Sequence, residues 1–211
     1  MDIILIGAGG HGKVVLDVVQ CEGKHRVIGF LDADPGLHGT KVAGVPVLGG
    51  INQLLKLKSQ KVRGAIISIG DNRIRRQYAK EAADAALELL SAIHPRATVA
   101  SSAKLGVNVV VAAGAVVCAE AKIGDSCIIN TASVVDHECV LGQAVHVCPS
   151  ATLAGRVTVE DDAFIGMGAM ILQCLTIGAR AVVGAGAVVR ADLPADCTAV
   201  GVPARIVKRI T

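Results

Sequence analysis

From Val99 to Val189 an aliphatic residue recurs at every sixth position, sixteen times without a break, through Leu105, Val111 and Val117 to Ile177 and Val183. Two positions before most of these stands a small residue, as at Ala97, Ala103, Ala115, Ala121, Cys127 and Ser133. The position after is often glycine, as at Gly106, Gly124 and Gly142. An α-helix repeats at about 3.6 residues and a half-buried strand at about 2, so neither produces this pattern. The period is that of the hexapeptide repeat. Each unit predicts one short flat side of a triangular coil with its aliphatic residue pointing inward, and three units close the coil. Coils stack at the strand spacing of about 4.8 Å. The expected fold of this half is a left-handed parallel β-helix of about five coils, with glycine at corners where positive φ or a crowded backbone penalises a side chain.

The first half has no such rhythm. Asp2 to Ile6 is an apolar run ending in a glycine turn, and Lys13 to Gln20 carries helical spacing. Arg26 to Leu31 predicts a strand, Ile51 to Lys58 a short helix, Gly64 to Ile69 a strand, and Asn72 to Ala85 a charged amphipathic helix. Strands alternating with helices predict a parallel sheet covered on both faces. The chain therefore divides near His94-Pro95 into a Rossmann-like α/β domain, residues 1–93, and the β-helix, residues 94–211.

Composition narrows the function. Of 211 residues 52% are hydrophobic, yet there are one Tyr, two Phe and no Trp, so the core is built from Val, Ile, Leu and Ala. A net charge of +3 without a basic block, and almost no aromatics to stack on bases, argues against nucleic-acid binding. The uncharged stretch from Ala163 to Ala179 is broken by Gly and Gln and keeps the six-residue period, which rejects a membrane span. The start MDIILIGAGG carries no signal-peptide pattern, so a cytoplasmic protein is expected. Seven Cys without paired spacing predict reduced thiols acting as small apolar fillers.

Gly7-Ala8-Gly9-Gly10-His11-Gly12 fits GxGxxG between a strand and a helix, where backbone N–H groups and the helix N-terminus receive a phosphate. Asp32 follows the next strand, where an acid meets a ribose or base; a tight turn with no ligand is the alternative. A domain this short favours a single nucleotide over NAD. His11 either approaches a phosphate or sugar or stands in solvent. In the β-helix, His137 falls two places after the inward Val135 and so lies on a corner or outer face. Between Asp136 and Glu138 it suits general-base work; a solvated surface histidine is the alternative. His146, nine residues on, is half a coil away, so the two rings serve one site only across a subunit boundary, which then requires a trimer; a histidine that simply fills the interface is the alternative. A metal site from His137-x-Cys139 and His146-x-Cys148 conflicts with the register, which turns Cys139 inward. No Ser or Cys is set up for nucleophilic attack, so direct transfer is expected. Arg205, in Gly201-Val202-Pro203-Ala204-Arg205, and Lys208 and Arg209 offer cations to the phosphates of a long cofactor.

The segments GAGGHGKVV, LDADP, IGDNRIR and NTASVVDHECVLG, the hexapeptide array and the terminal GVPAR together resemble the nucleotide-sugar N-acetyltransferases that act on 4-amino sugars, of the bacillosamine and perosamine type, with sialic acid O-acetyltransferases as relatives. The resemblance implies a homotrimer with active sites between subunits, acetyl-CoA as cosubstrate and no metal. It implies a nucleotide-linked amino sugar held by Gly9, Gly10, His11, Gly12, Asp32, Ala33, Gly70 and Asn72. It makes His137 the base and Glu138 the acid that raises its basicity, places Asn130 and Asp136 near the acceptor, and sets His146, Gly155, Met167, Ala185 and Arg205 along acetyl-CoA. It leaves uracil or guanine open as the base. The rival readings are O-acetylation of a sugar hydroxyl, a zinc-dependent hydratase, which needs three interface histidines, and a non-catalytic sugar-nucleotide sensor.

Overall fold

A computed structural model describes residues 1–59 and 62–209, so the last two residues of the expected second domain lie outside it. The chain forms two compact units, Met1–Pro95 and Arg96–Thr211.

The first unit is a four-stranded parallel sheet of β1 (Asp2–Ile6), β2 (Arg26–Leu31), β5 (Gly64–Ile67) and β6 (Glu88–Leu89) in the order β2-β1-β5-β6. β1 and β5 are buried almost throughout, the mark of central parallel strands covered on two faces. Ile4 and Ile6 pack with Leu54 and Leu57 of α2 (Leu54–Ser59) and Ala79 and Ala82 of α3 (Asn72–Asp84). The apolar stripe of α1 (Gly10–Glu22), Val15, Leu16, Val18 and Val19, is buried as well. The strand order reverses between β1 and β5, which puts a crevice beyond their carboxyl ends.

Several boundaries differ from the sequence expectation. α1 begins at Gly10, three residues before Lys13, because nothing in the glycine loop stops the helix once Gly9 has turned. β5 ends at Ile67 rather than Ile69, since its partner β1 ends at Ile6 and the chain leaves through Gly7 at φ 111. The helix over Ile51–Lys58 is a 3₁₀ turn, Ile51–Gln53, followed by α2. A small hairpin of β3 (Lys41–Val42) and β4 (Val45–Pro46) was not anticipated.

The second unit is a β-solenoid of hexapeptide repeats. Two-residue strands pair in parallel with those eighteen residues away, as in Val110↔Ile128↔His146↔Phe164↔Val182, and build three sheets. The repeat aliphatics from Val111 to Val189 are buried, while Val99 and Leu105 in the first coil are half-buried. The glycines after the aliphatic residues answer crowding and not positive φ: a Cβ on Gly124 would press into the Gly142 carbonyl, and neither residue has positive φ. Positive φ falls two positions later and is mostly borne by other residues, including Asn108, Glu120, Ser126, Glu138 and Arg156. After the last coil, Cys197–Val200 joins Val182–Val183 in parallel and Arg205–Arg209 returns antiparallel along it. Among the described residues no helix is long and apolar enough to cross a membrane.

Candidate active site

In the first unit the turns leaving β1, β2 and β5 enclose a cleft of about 330 Å³. Gly9, Gly10 and His11 line it from the first turn, Asp32 and Ala33 from the second, and Gly70 from the third, with Ile74 and Tyr78 of α3 alongside. A Cβ on Gly9, Gly10 or Gly70 would meet no protein atom within 4 Å, so the cleft reaches bare backbone there. α1 starts at this wall without a side-chain cap, leaving its first-turn N–H groups for an anion. Asp32 braces the walls: Oδ2 accepts from the Ala8 N–H at 2.7 Å and Oδ1 from the Asp34 N–H at 2.9 Å. His11 is half-buried, and burial, assisted by the Arg75 charge, pushes its pKa down to about 4.

Two residues expected here do not line the cleft. Gly12 is buried with its Cα against the Gly7 carbonyl, so its role is to let α1 approach β1. Asn72 turns its Oδ1 to the Arg75 guanidinium at 2.8 Å. Tyr78 escaped the sequence reading, although it is the chain's one tyrosine.

In the second unit His137 and Glu138 occupy a corner. Nδ1 of His137 lies 3.0 Å from Oε2 of Glu138, and both side chains are about half exposed, at 51% and 50%. An ionised carboxylate only accepts, so Nδ1 carries the hydrogen, and in the neutral ring the lone pair is on Nε2. Glu138 holds this pose from the left-handed region at φ 59. Asp136 Oδ1 accepts from the His137 N–H at 2.7 Å. One coil on, Gly155 is so close that a Cβ would overlap the His137 ring. Beside Glu138 a depression of about 420 Å³ is lined by Lys104, Lys122 and Glu120.

His146 lies on a different sheet and is 7% exposed. Its ring meets Phe164 edge-on at 5.2 Å, and its Nε2 lies 3.1 Å from Nδ2 of Asn130. Because Asn130 Oδ1 accepts from the Thr131 N–H at 2.8 Å, the amide presents its NH₂ to His146, which makes Nε2 the acceptor and Nδ1 the protonated nitrogen. Met167 and Ala185, one coil apart and both exposed, follow the same sheet at the next corner. One chain therefore divides the expected acetyl-CoA residues between two corners: Gly155 beside His137, and Met167 and Ala185 across the sheet containing Val134, Thr152, Met170 and Val188. Arg205 is exposed on the terminal strand. Cys139 is buried, its thiol donating to the Ala154 carbonyl at 3.2 Å, away from the exposed His137. Among the described residues the side chains close enough to share a metal ion are Asp17, Cys21 and His94, outside both sites.

Residues 2–82 match the family model described as PglD N-terminal domain, and residues 156–191 that of bacterial transferase hexapeptide (six repeats). The GDP-perosamine N-acetyltransferase of Escherichia coli O157:H7 is 31% identical, over 97% of this chain and 96% of its own. The chain belongs to the nucleotide-sugar N-acetyltransferase family. PerB from Caulobacter crescentus, solved in complex with CoA and GDP-perosamine, is 44% identical with a TM-score of 0.95, covering 99% of this chain and 98% of its own. The acetyltransferase domain of PglB from Neisseria gonorrhoeae, solved with acetyl coenzyme A, is 39% identical with a TM-score of 0.91, covering 98% of each chain. Family membership makes this protein an acetyltransferase and accounts for the pairing of an α/β domain with a hexapeptide β-solenoid in one chain.

Proposed function

We propose that this protein transfers the acetyl group of acetyl-CoA to the 4-amino group of a nucleotide-linked amino sugar, in the cytoplasm. Residues 1–93 bind the nucleotide, and residues 94–211, a left-handed β-helix, bind acetyl-CoA and carry the chemistry. The observation that carries the reading is the His137–Glu138 pair: an exposed imidazole whose Nδ1 is tied to a carboxylate, leaving Nε2 to take a proton. Similarity to the PerB complex favours a GDP-linked acceptor, with GDP-perosamine the first to test.

The amine nitrogen attacks the thioester carbonyl carbon, the C–N bond forms, and His137 Nε2 takes the amine proton. The adduct collapses with cleavage of the C–S bond, and the CoA thiolate leaves and takes the proton held on His137 Nε2, which returns the ring to its neutral form. Amide and imidazole N–H donors in the cleft, with His146 Nδ1–H among them, stabilise the oxyanion. The active unit is a homotrimer with each site between neighbouring β-helices. Support comes from the division of the acetyl-CoA residues over two corners of one chain, and from the sheet between those corners, where Met170 is 56% exposed. A neighbour seated there brings His137 and Gly155 of one copy to His146, Met167 and Ala185 of the next.

Incubation of the purified protein with acetyl-CoA and a panel of GDP- and UDP-linked 4-amino sugars, reading free thiol and product mass, tests this. Thiol release with one of these amines is expected. Release with none of them, or transfer to a sugar hydroxyl in their place, overturns the reading.

A further inference from the structure

The cleft of the α/β domain has two chemically different parts. One is bare backbone at Gly9 and Gly10, where α1 begins. The other is apolar: Ile69 from the turn after β5, and Ile74 and Tyr78 from α3. A Cβ on Gly7 would press into the Ile69 side chain, so the apolar part starts against the glycine turn itself. Ile74 and Tyr78 are four residues apart, which puts them on one face of the helix. Ile74 is 43% exposed, while Tyr78 is half-buried and packs in part on the domain core.

This wall is fixed from behind by Arg75, whose side chain is fully buried. A guanidinium out of water is costly unless its N–H groups are filled. Here Nη1 donates to the carbonyls of Ile69 and Gly70, each at 3.0 Å, and Nη2 to Asn72 Oδ1 at 2.8 Å. These bonds tie the first turns of α3 to the segment that carries Ile69, so the apolar strip is set before a ligand arrives, which lowers the ordering cost of binding. A phosphate alone has no use for such a strip. A ligand that suits both parts carries an anion and a flat ring, as a nucleotide does. Base recognition by stacking needs an aromatic face. Of the one Tyr and two Phe in the chain, Phe30 is buried in the core and Phe164 lies against His146 in the other unit, which leaves Tyr78.

We propose that Tyr78, with Ile74, is the platform on which the acceptor's nucleobase packs, and that its ring selects a purine nucleotide over a pyrimidine one. Two fused rings offer Tyr78 and Ile74 more face than one. The proposal rests on the function argued above and deepens it: the glycine turn takes phosphate, which every nucleotide-linked sugar carries, and Tyr78 decides which base is accepted.

With one Tyr and no Trp in the chain, the tyrosine emission of the purified protein reports on Tyr78 alone. Titration with GDP, UDP and inorganic diphosphate, corrected for nucleotide absorption with free tyrosine, is run beside calorimetry of the same pairs. GDP is expected to change the emission saturably, at the concentrations where calorimetry shows binding, and to bind more tightly than UDP. Diphosphate is expected to leave the emission unchanged. Tyr78→Ala should weaken GDP by about ten-fold or more, the scale of one lost base–aromatic stack, and weaken UDP less. Tyr78→Phe keeps the stack and stays near wild type. In steady-state kinetics Tyr78→Ala raises the KM for the nucleotide sugar and leaves the KM for acetyl-CoA in place. If Tyr78→Ala does not fold, Tyr78→Leu, which fills the core side without an aromatic face, carries the test. GDP binding with unmoved emission, GDP no tighter than UDP, or an equal loss of both in the variant overturns the proposal and leaves the nucleotide cleft standing. No binding of either nucleotide by the wild type removes the cleft and this proposal with it.

Discussion

Gly155 and His137 stand one coil apart on the same corner, and the imidazole lies over the space that a Cβ on Gly155 would fill. The glycine is there for the ring, since Gly155 itself has no positive φ. Gly155→Ala is therefore expected to displace His137 while the inward column, which does not include residue 155, keeps the β-helix folded. Loss of a correctly placed general base costs about 10²- to 10⁴-fold in kcat, and Gly155→Ala should fall in that range with a nearly unchanged melting temperature. Thiol-release kinetics and a thermal melt check it together; full activity would show that the ring has another place to go.

Glu138 acts on the reaction through His137, because its Oε2 is spent on Nδ1. Glu138→Gln puts an amide there that can turn either its oxygen or its NH₂ to the ring, so the tautomer is no longer fixed. A fall in kcat of roughly 10²-fold is expected, against about 10²- to 10⁴-fold for His137→Ala. The double variant should be no slower than His137→Ala alone, since groups acting as one unit do not add. A multiplicative loss would give Glu138 a contact of its own with the substrates.

Much of this corner was legible by adding eighteen. His137 to Gly155, and His146 to its ring partner Phe164, are one-coil steps, and a six-residue rhythm without gaps makes the count reliable along the array. The same arithmetic separates Met167 and Ala185 from Gly155 by corner. The near-complete burial of His146 was not legible, because its position points out of the coil and only its neighbours decide whether it is covered. In the α/β domain the missed signal was helical: Arg75, Ala79 and Ala82 fall on one stripe of α3, but an arginine reads as surface by composition, and its burial depends on carbonyls that only the folded turn brings to it. Gly12 illustrates the opposite error, since a glycine fingerprint does not separate glycines that face a ligand from one that faces a strand.

That distinction gives a paired prediction. A Cβ on Gly12 would collide with the Gly7 backbone carbonyl, which cannot swing aside as a side chain can, whereas one on Gly9 meets nothing within 4 Å. Gly12→Ala is expected to cost about 1–3 kcal/mol as α1 is levered off β1, read as a fall of several degrees in Tm. Gly9→Ala should leave Tm in place and raise the KM for the nucleotide sugar. If Gly9→Ala leaves that KM unchanged, the ligand does not lie against the glycine turn.

His11 sets an acid limit on the α/β domain. Burial, with the Arg75 charge second, pushes its folded-state pKa down to about 4, while the unfolded ring titrates at about 6.5. Between these values the unfolded chain holds a proton that the folded one does not, so stability falls as the pH drops from about 6.5 to about 4 and the loss is complete below that. The span corresponds to at most about 3 kcal/mol, and less because the half-buried ring keeps some contact with water. Chemical denaturation midpoints measured through this window should slope for the wild type and flatten in His11→Gln, which keeps a polar side chain of similar reach but does not titrate. Parallel slopes in the two proteins would mean that the folded chain takes up the His11 proton over the same pH range as the unfolded one, and that burial does not hold the ring neutral.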